Sequence, residues 1–294
     1  MGNFLEQLQS IIIQTLQSIA TVLKVLVRSK FGVKFPKASG ERMIILGNGP
    51  SLREVVETYQ HQLSSETLWA VNYFANSEYY EKLKPKYYLF VGPEFWRDNI
   101  REKSINLRNQ LFDNLESKTS WEMTMFVPVE CTNSTFFKNR IKKIPHIKFV
   151  AYNPTPIEGF RSFNHLLFKM NLGMPRPHNV IIPCLMIALN LGYKQIYLTG
   201  VEHSWLPGIF VNENNEALFR NQHFYDKNKV ASHSMYKVGI RTRKLHEILE
   251  KFMLTFRGYF VIKDYQKTLG TNIYNCTDGS FIDAFERKKL EDIF

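Results

Sequence analysis

The stretch Arg42-Met43-Ile44-Ile45-Leu46-Gly47-Asn48-Gly49-Pro50-Ser51-Leu52 decides how the chain is read. Its apolar run, β-branched at the centre, stops at a glycine-bracketed asparagine, the pattern of a buried parallel strand entering a tight turn. Pro50-Ser51-Leu52-Arg53-Glu54 then reads as the first turn of a helix, with proline near the position where its missing N–H costs nothing. Strand, glycine turn and helix start together predict a socket for an anion, because backbone N–H groups and the positive helix end converge there. The motif is not the dinucleotide fingerprint, since Leu52 stands where the third glycine belongs, and no Gly-Lys-Ser/Thr follows to make a P-loop. Asn48 either contacts a ligand through its amide or simply serves a tight turn in the left-handed conformation.

Working outward, short apolar runs recur at 67–72, 87–91, 123–127, 147–152, 195–199 and 259–262. Most are separated by helical patterns, including one from Val180 to Leu191 that stops at Gly192. Strands alternating with helices predict a doubly wound, mostly parallel α/β sheet of Rossmann type, running as one domain from about residue 41 to 294. In such sheets ligands bind beyond the strand C-terminal ends. Gly47, Asn48, Gly49, Asn72, residues 92–94 and Gly200 to His203, with Glu202 and His203 at the very end of a buried strand, are therefore candidate rim residues. Asn272 to Ser280 reads as a further strand ending in a polar turn, whose Asn275, Thr277 and Ser280 contact the nucleotide, cap the final helix or simply make the turn.

The chain has 294 residues, 44% of them hydrophobic, enough for a full core. Cys131, Cys184 and Cys276 are scattered, with no C-x-x-C spacing, which fits buried thiols rather than a disulfide framework or a zinc site. The net charge of +11 favours an anionic partner. No nucleic-acid motif or unbroken basic run accompanies it, so nucleic acid is not expected.

Residues 1–40 form a separate segment. Leu5, Leu8, Ile12, Leu16, Ile19, Leu23 and Leu26 recur at helical spacing, and the helix runs into Arg28, Lys30, Lys34 and Lys37. The cations follow the apolar part, unlike a signal peptide. Interrupting glutamines argue against a spanning helix. Two readings stand: an interfacial helix on an anionic membrane, or an apolar stripe packed on the domain or on a second subunit.

The tract 201–236 is long, polar and aromatic, the character of a lid, and it carries His203, His223 and His233. Their spacing matches no metal motif, so no metal site is expected.

Three pieces carry a family resemblance. Met43 to Leu52 resembles the opening motif of the bacterial CMP-sialic acid-dependent sialyltransferases typified by the Campylobacter lipooligosaccharide enzymes. Ile187 to Gly200 resembles their helix–strand segment before the lid, and His233-Ser234 stands where they have a His-Ser pair. The Gly-Asn-Gly-Pro-Ser-Leu piece is also similar to one in surface-polysaccharide and flagellin-modification proteins and in hydroxymethylpterin diphosphokinase-like proteins. The resemblance implies a glycosyltransferase-A-like variant of the Rossmann sheet. It implies that Gly47, Asn48, Gly49, Ser51 and Asn72 hold the CMP portion of a CMP-sugar, and that His233 is the general base on the acceptor hydroxyl. The family's two phosphate-binding tyrosines find loose parallels at Ser204-Trp205 and at Tyr225 or Tyr236, and its sugar-binding residues at Arg176, His178 and Asn179.

A CMP-sugar has one phosphate to neutralise on departure, and no Asp-x-Asp pair of the metal-dependent glycosyltransferases occurs. The expectation is a metal-independent, cofactor-free glycosyltransferase moving sialic acid or a related ulosonic acid to a surface-glycan or lipid-linked hydroxyl. It would work peripherally at the cytoplasmic face of the membrane, and the resemblance suggests a homo-oligomer. The alternatives are a pterin diphosphokinase-like or other-donor transferase needing magnesium, and a non-catalytic nucleotide-binding protein of polysaccharide assembly.

Overall fold

A computed structural model describes residues 2–220, 232–237 and 241–294. The chain begins with α1 (Gly2–Arg28) and then alternates β1 (Arg42–Leu46), α2 (Leu52–Ser64), β2 (Leu68–Val71), α3 (Tyr79–Leu83) and β3 (Tyr87–Leu89). It continues with α4 (Glu102–Lys118), β4 (Met123–Pro128), α5 (Thr135–Ile141), β5 (Ile147–Tyr152), α6 (Arg161–Lys169), α7 (Ile181–Leu191) and β6 (Gln195–Thr199). Five short strands follow: β7 (Ile209–Val211), β8 (Ala217–Phe219), β9 (His233–Ser234), β10 (Tyr236–Lys237) and β11 (Arg241–Thr242). The last elements are α8 (Leu245–Leu269), β12 (Asn272–Asn275) and β13 (Glu286–Arg287).

Eight strands make one sheet in the order β13-β12-β6-β1-β2-β3-β4-β5, every neighbouring pair parallel. The expected doubly wound α/β architecture is therefore present. Alternate residues of β1 feed two cores. Met43 and Ile45 face α7 and the buried side of α8, while Ile44 and Leu46 face residues of α2 to α5. Burial on both faces is what a strand of consecutive apolar residues requires. Each fully buried Leu or Ile contributes about 1.5–3 kcal/mol on that basis.

The chain winds outward from β1 through β2 to β5, then returns to β6 on the other side of β1. The loops leaving β1 and β6 consequently diverge, which makes a topological switch point.

Three expectations need correction. Residues 259–262 are not a strand but lie inside the 25-residue α8. They belong to its core stripe of Ile248, Phe252, Thr255, Tyr259, Ile262 and Tyr265, spaced by three and four. Among the described residues of the tract after β6, which read as a loop, β7, β8 and β9 form a three-stranded antiparallel sheet, and β10 pairs with β11.

The third correction concerns α1. By length and composition Phe4–Arg28 is long and apolar enough to cross a membrane, despite its glutamines, because only Glu6, Lys24 and Arg28 in it are charged. Its last third is sewn to the loop after β5. Thr21, fully buried, donates its hydroxyl to the Glu158 carbonyl (2.7 Å) and accepts the Glu158 N–H (3.0 Å). Lys24 pairs with the Glu158 carboxylate at 2.9 Å, and Ser18 accepts the Phe160 N–H at 3.1 Å. Gly159, at φ +122°, must be glycine there, since a Cβ would strike Ser18. Outward, Leu5, Leu16, Ile19, Leu23 and Leu26 are all exposed.

Candidate functional site

The β1 and β6 loops meet across the switch point. Gly47 N–H donates to the Thr199 carbonyl and Gly49 N–H to the Gly200 carbonyl, both at 2.8 Å. The approach is so close that a Cβ at Gly47 would strike the Gly200 carbonyl. That contact, not a positive φ, is why glycine is needed here.

The anion socket predicted at the start of α2 is built, but it is already filled. Ser51 N–H donates to Glu202 Oε1 at 2.7 Å, and a Cβ at Gly49 would collide with the same carboxylate. A carboxylate at a helix N-terminus is the anion that the partial positive charge selects. Glu202 Oε2 is buried and has no hydrogen-bond partner among the described residues. The expectation that these amides await a ligand is thus corrected: the loop's amides are largely spent on β6 and its successor residues.

Beside that carboxylate opens a cavity of about 210 Å³, lined by the Gly47–Pro50 turn, Val180 and Ile181 at the start of α7, residues 200–205, and Arg220. Arg220 reaches in from the end of β8, its Nε donating to the Ser232 hydroxyl at 3.2 Å and its guanidinium 4.9 Å from the Phe210 ring. A cation and a helix start on one cavity make a place for phosphate or carboxylate.

His203 also lines it. The residue sits at φ +47°, a left-handed conformation that a histidine holds only when its surroundings impose it. Its ring stacks on Trp205 with centroids 4.1 Å apart, and Trp205 rests on Phe252 of α8 at 4.8 Å. Burial without a counter-charge pushes the imidazole pKa down to about 3, so it is neutral at neutral pH. Tyr259, fully buried in α8, has its hydroxyl 3.1 Å from His203 Nδ1, and burial raises its pKa far above the ordinary value.

The structure brings together Gly47, Asn48, Gly49, Glu202, His203 and Trp205 on one cavity. Ser51 stands behind it, contributing its N–H to Glu202. Asn48 turns its Nδ2 to the Val71 carbonyl (3.1 Å), tying the loop to the end of β2. Asn72 does not line the cavity; it turns the chain after β2 at φ +49°. Asn179 caps α7, its Oδ1 accepting the N–H groups of Ile181 (2.9 Å) and Ile182 (3.1 Å). Arg176 lies just upstream, beside His178, whose pKa falls to about 4 through burial and through Arg176, Lys251 and Arg243. Tyr225 lies outside the described residues, and so does the side chain of His233. The backbone of His233 is in β9, paired with Phe219. Sequence reading missed Tyr259, because it was assigned to a strand, and Arg220, whose only signal was a cation in the lid tract.

No known family model matches this sequence, and no curated protein is significantly similar to it. Among solved structures, the fold is similar to that of the MAf glycosyltransferase from Magnetospirillum magneticum AMB-1, with a TM-score of 0.51 at 14% identity. The match covers 90% of this chain and 36% of that one, so the chain spans about a third of the length of the protein it resembles. The likeness is one of fold: the parallel sheet with its flanking helices is shared with a protein that carries a much longer chain.

Proposed function

We propose that the chain is a glycosyltransferase that takes an acidic sugar, sialic acid or a related ulosonic acid, from a CMP-sugar to a hydroxyl of a surface glycan. The observation that carries the reading is the cavity at the switch point between the β1 and β6 loops, reached by Arg220 from the small antiparallel sheet. Support comes from the structural neighbour, itself a glycosyltransferase, and from the Gly-Asn-Gly-Pro-Ser-Leu and His-Ser pieces. Arg220 offers charge to the departing phosphate, and the Gly47–Pro50 turn and Asn48 frame the nucleotide. His233 is the proposed base, an imidazole suited to removing a proton from an attacking alcohol near neutrality. The absence of an Asp-x-Asp pair supports a reaction without metal.

A thermal-shift panel of CMP, CDP, UDP and GDP, each with and without magnesium, tests this. CMP and CDP should stabilise the protein selectively and without magnesium, since a ligand that binds only the folded state raises its stability. Preference for UDP or GDP, or no response to any nucleotide, overturns the donor class.

One observation favours a second reading. Glu202 holds negative charge at the start of α2, where a donor phosphate would have to approach. A magnesium-dependent transferase, with the cation between carboxylate and phosphate, accommodates that charge. Nucleotide stabilisation that appears only with magnesium and is abolished by EDTA would select it.

The proposal extends to location. Residues 18–29 are tied to the domain, which leaves 4–17 of α1 free, about 21 Å at 1.5 Å per residue. The exposed apolar side of α1, with Leu5, Leu16, Ile19, Leu23 and Leu26, lies in one leaflet's interface in this proposal, with Lys30, Lys34 and Lys37 toward anionic headgroups. Vesicle flotation with and without residues 1–40 checks it, and equal flotation of the two forms refutes it.

A further inference from the structure

A hydrogen-bond chain with deducible proton positions ends at His203 on the cavity. It starts at Asn179, whose amide orientation is fixed by its cap: the backbone N–H groups of Ile181 and Ile182 can only donate, so the atom they meet is the amide oxygen. The other end is then the NH₂ group, which donates to the Tyr259 hydroxyl oxygen at 2.9 Å. Tyr259 has one proton left to place, in a fully buried position, and His203 Nδ1 lies 3.1 Å away. If Nδ1 carried the proton instead, the tyrosine proton would be buried without an acceptor among the described residues. The direction is therefore Asn179 to Tyr259 to His203, and Nδ1 accepts. The remaining proton must sit on Nε2. Nε2 has no hydrogen-bond partner among the described residues, and His203 and Arg220 both line the cavity.

We infer that His203 presents a neutral Nε2–H to the phosphate of the bound nucleotide, in a tautomer imposed by Tyr259 and Asn179 as positioning residues. The inference rests on the nucleotide reading for its ligand; the tautomer follows from the hydrogen bonds alone. A neutral donor suits a departing phosphate because it stabilises the growing charge without itself attracting another anion, while Arg220 supplies the net charge. Trp205 stacked on one face holds the plane of the ring, and the bond from Tyr259 to Nδ1 sets which edge carries the donor.

Nitrogen NMR on the full chain labelled with ¹⁵N-histidine tests both halves. In the unliganded protein, His203 should show a protonated Nε2 and an unprotonated Nδ1. Asn179→Asp keeps the α7 cap but replaces the NH₂ donor with an acceptor, so the tyrosine proton should swing to it and the histidine should switch to the Nδ1–H form. Tyr259→Phe should leave a mixture of tautomers. A wild-type Nδ1–H signature, or a tautomer unchanged in Asn179→Asp, overturns the relay.

For the donor role, CMP and inorganic phosphate are added. The Nε2 signal should move and Nδ1 should not. His203→Ala should weaken CMP binding about ten- to a hundredfold, the worth of one hydrogen bond to a charged group. His203→Gln, which keeps an N–H near the Nε2 position, should recover most of that loss. CMP that stabilises the protein but leaves Nε2 unmoved overturns the donor role while the proposed function stands. Phosphate that moves Nε2 when CMP does not bind leaves the donor role standing and removes the cytidine reading. No response to either ligand removes both.

Discussion

Two helices of this molecule are strongly apolar, and they meet opposite fates. In α7, ten of its eleven residues are buried, wedged between the sheet and α8. Along α1, Leu5, Leu16, Ile19, Leu23 and Leu26 face outward, and the helix touches the domain through Ser18, Thr21, Lys24 and Val25. The difference lies in what each leaves for water. Apolar all round, α7 has no face that prefers solvent, so only a core accepts it. On α1 a narrow polar strip binds the protein, which inverts the usual arrangement and leaves its apolar side for something else. Hydropathy alone does not separate the two; the placement of a few hydroxyls does.

The comparison breaks most easily at α7. Leu185→Ala should lower stability by about 2–5 kcal/mol in urea unfolding, since Leu185 is wholly enclosed. A loss under 1 kcal/mol would mean α7 is not the keystone described. Next comes the strip on α1. Thr21→Val preserves shape but leaves the Glu158 N–H and carbonyl without their partner, at a cost of about 1–3 kcal/mol. Limited proteolysis should then cut between α1 and β1 sooner than in wild type.

His178, just before α7, gives a third test, because Glu158 on the α1 side acts on it in opposition to Arg176, Lys251 and Arg243. Its folded pKa of about 4 lies below the ordinary 6.5. The unfolded chain therefore binds the extra proton first as pH falls. The stability contributed by the neutral ring is whole above about pH 6.5 and is lost progressively down to about pH 4. His178→Gln should flatten that slope by on the order of 1 kcal/mol, after discounting for screening at this half-buried ring. Comparing urea midpoints at the two ends of the window checks it.

The smallest stability effect belongs to the outward face of α1. Replacing Leu16 and Leu23 together with serine should change unfolding free energy by no more than about 0.5 kcal/mol, as exposed positions do. The same pair should sharply reduce binding to anionic vesicles. A large stability loss would show instead that this face is packed, as against a second copy of the chain.

The contrast also marks how far the residues could be read unaided. β1 to β6 were legible because each is a short apolar run closed by glycine, proline or asparagine. α7 was legible because Gly192, at φ +100°, ends it as a C-cap should. Tyr259-Phe260-Val261-Ile262 misled because four apolar residues in a row suit a strand as well as one turn of a helix. Only the longer spacing from Ile248 to Tyr265 resolves them. The rim was foreseeable from strand ends, which is why the Gly47–Gly49 turn and Glu202-His203 meet on one cavity, while Trp205 was named only through the family resemblance. That Glu202 would fill the α2 socket was not, since the contact joins residues 151 positions apart. Nor was the partnership of Tyr259 with His203, which depends on how α8 packs under the rim.

The two borders of the large sheet carry a last consequence. A border strand with a long row of unpaired amides is a template on which another chain can grow. Here one border, β13, is two residues long, and both of those, Glu286 and Arg287, are exposed and charged. The opposite border exposes Lys148, the second residue of the six-residue β5. Stacking copies strand against strand would bury these charges for few hydrogen bonds in return. Whatever the exposed apolar side of the first helix meets, each border of the sheet presents charge to a strand arriving from another copy.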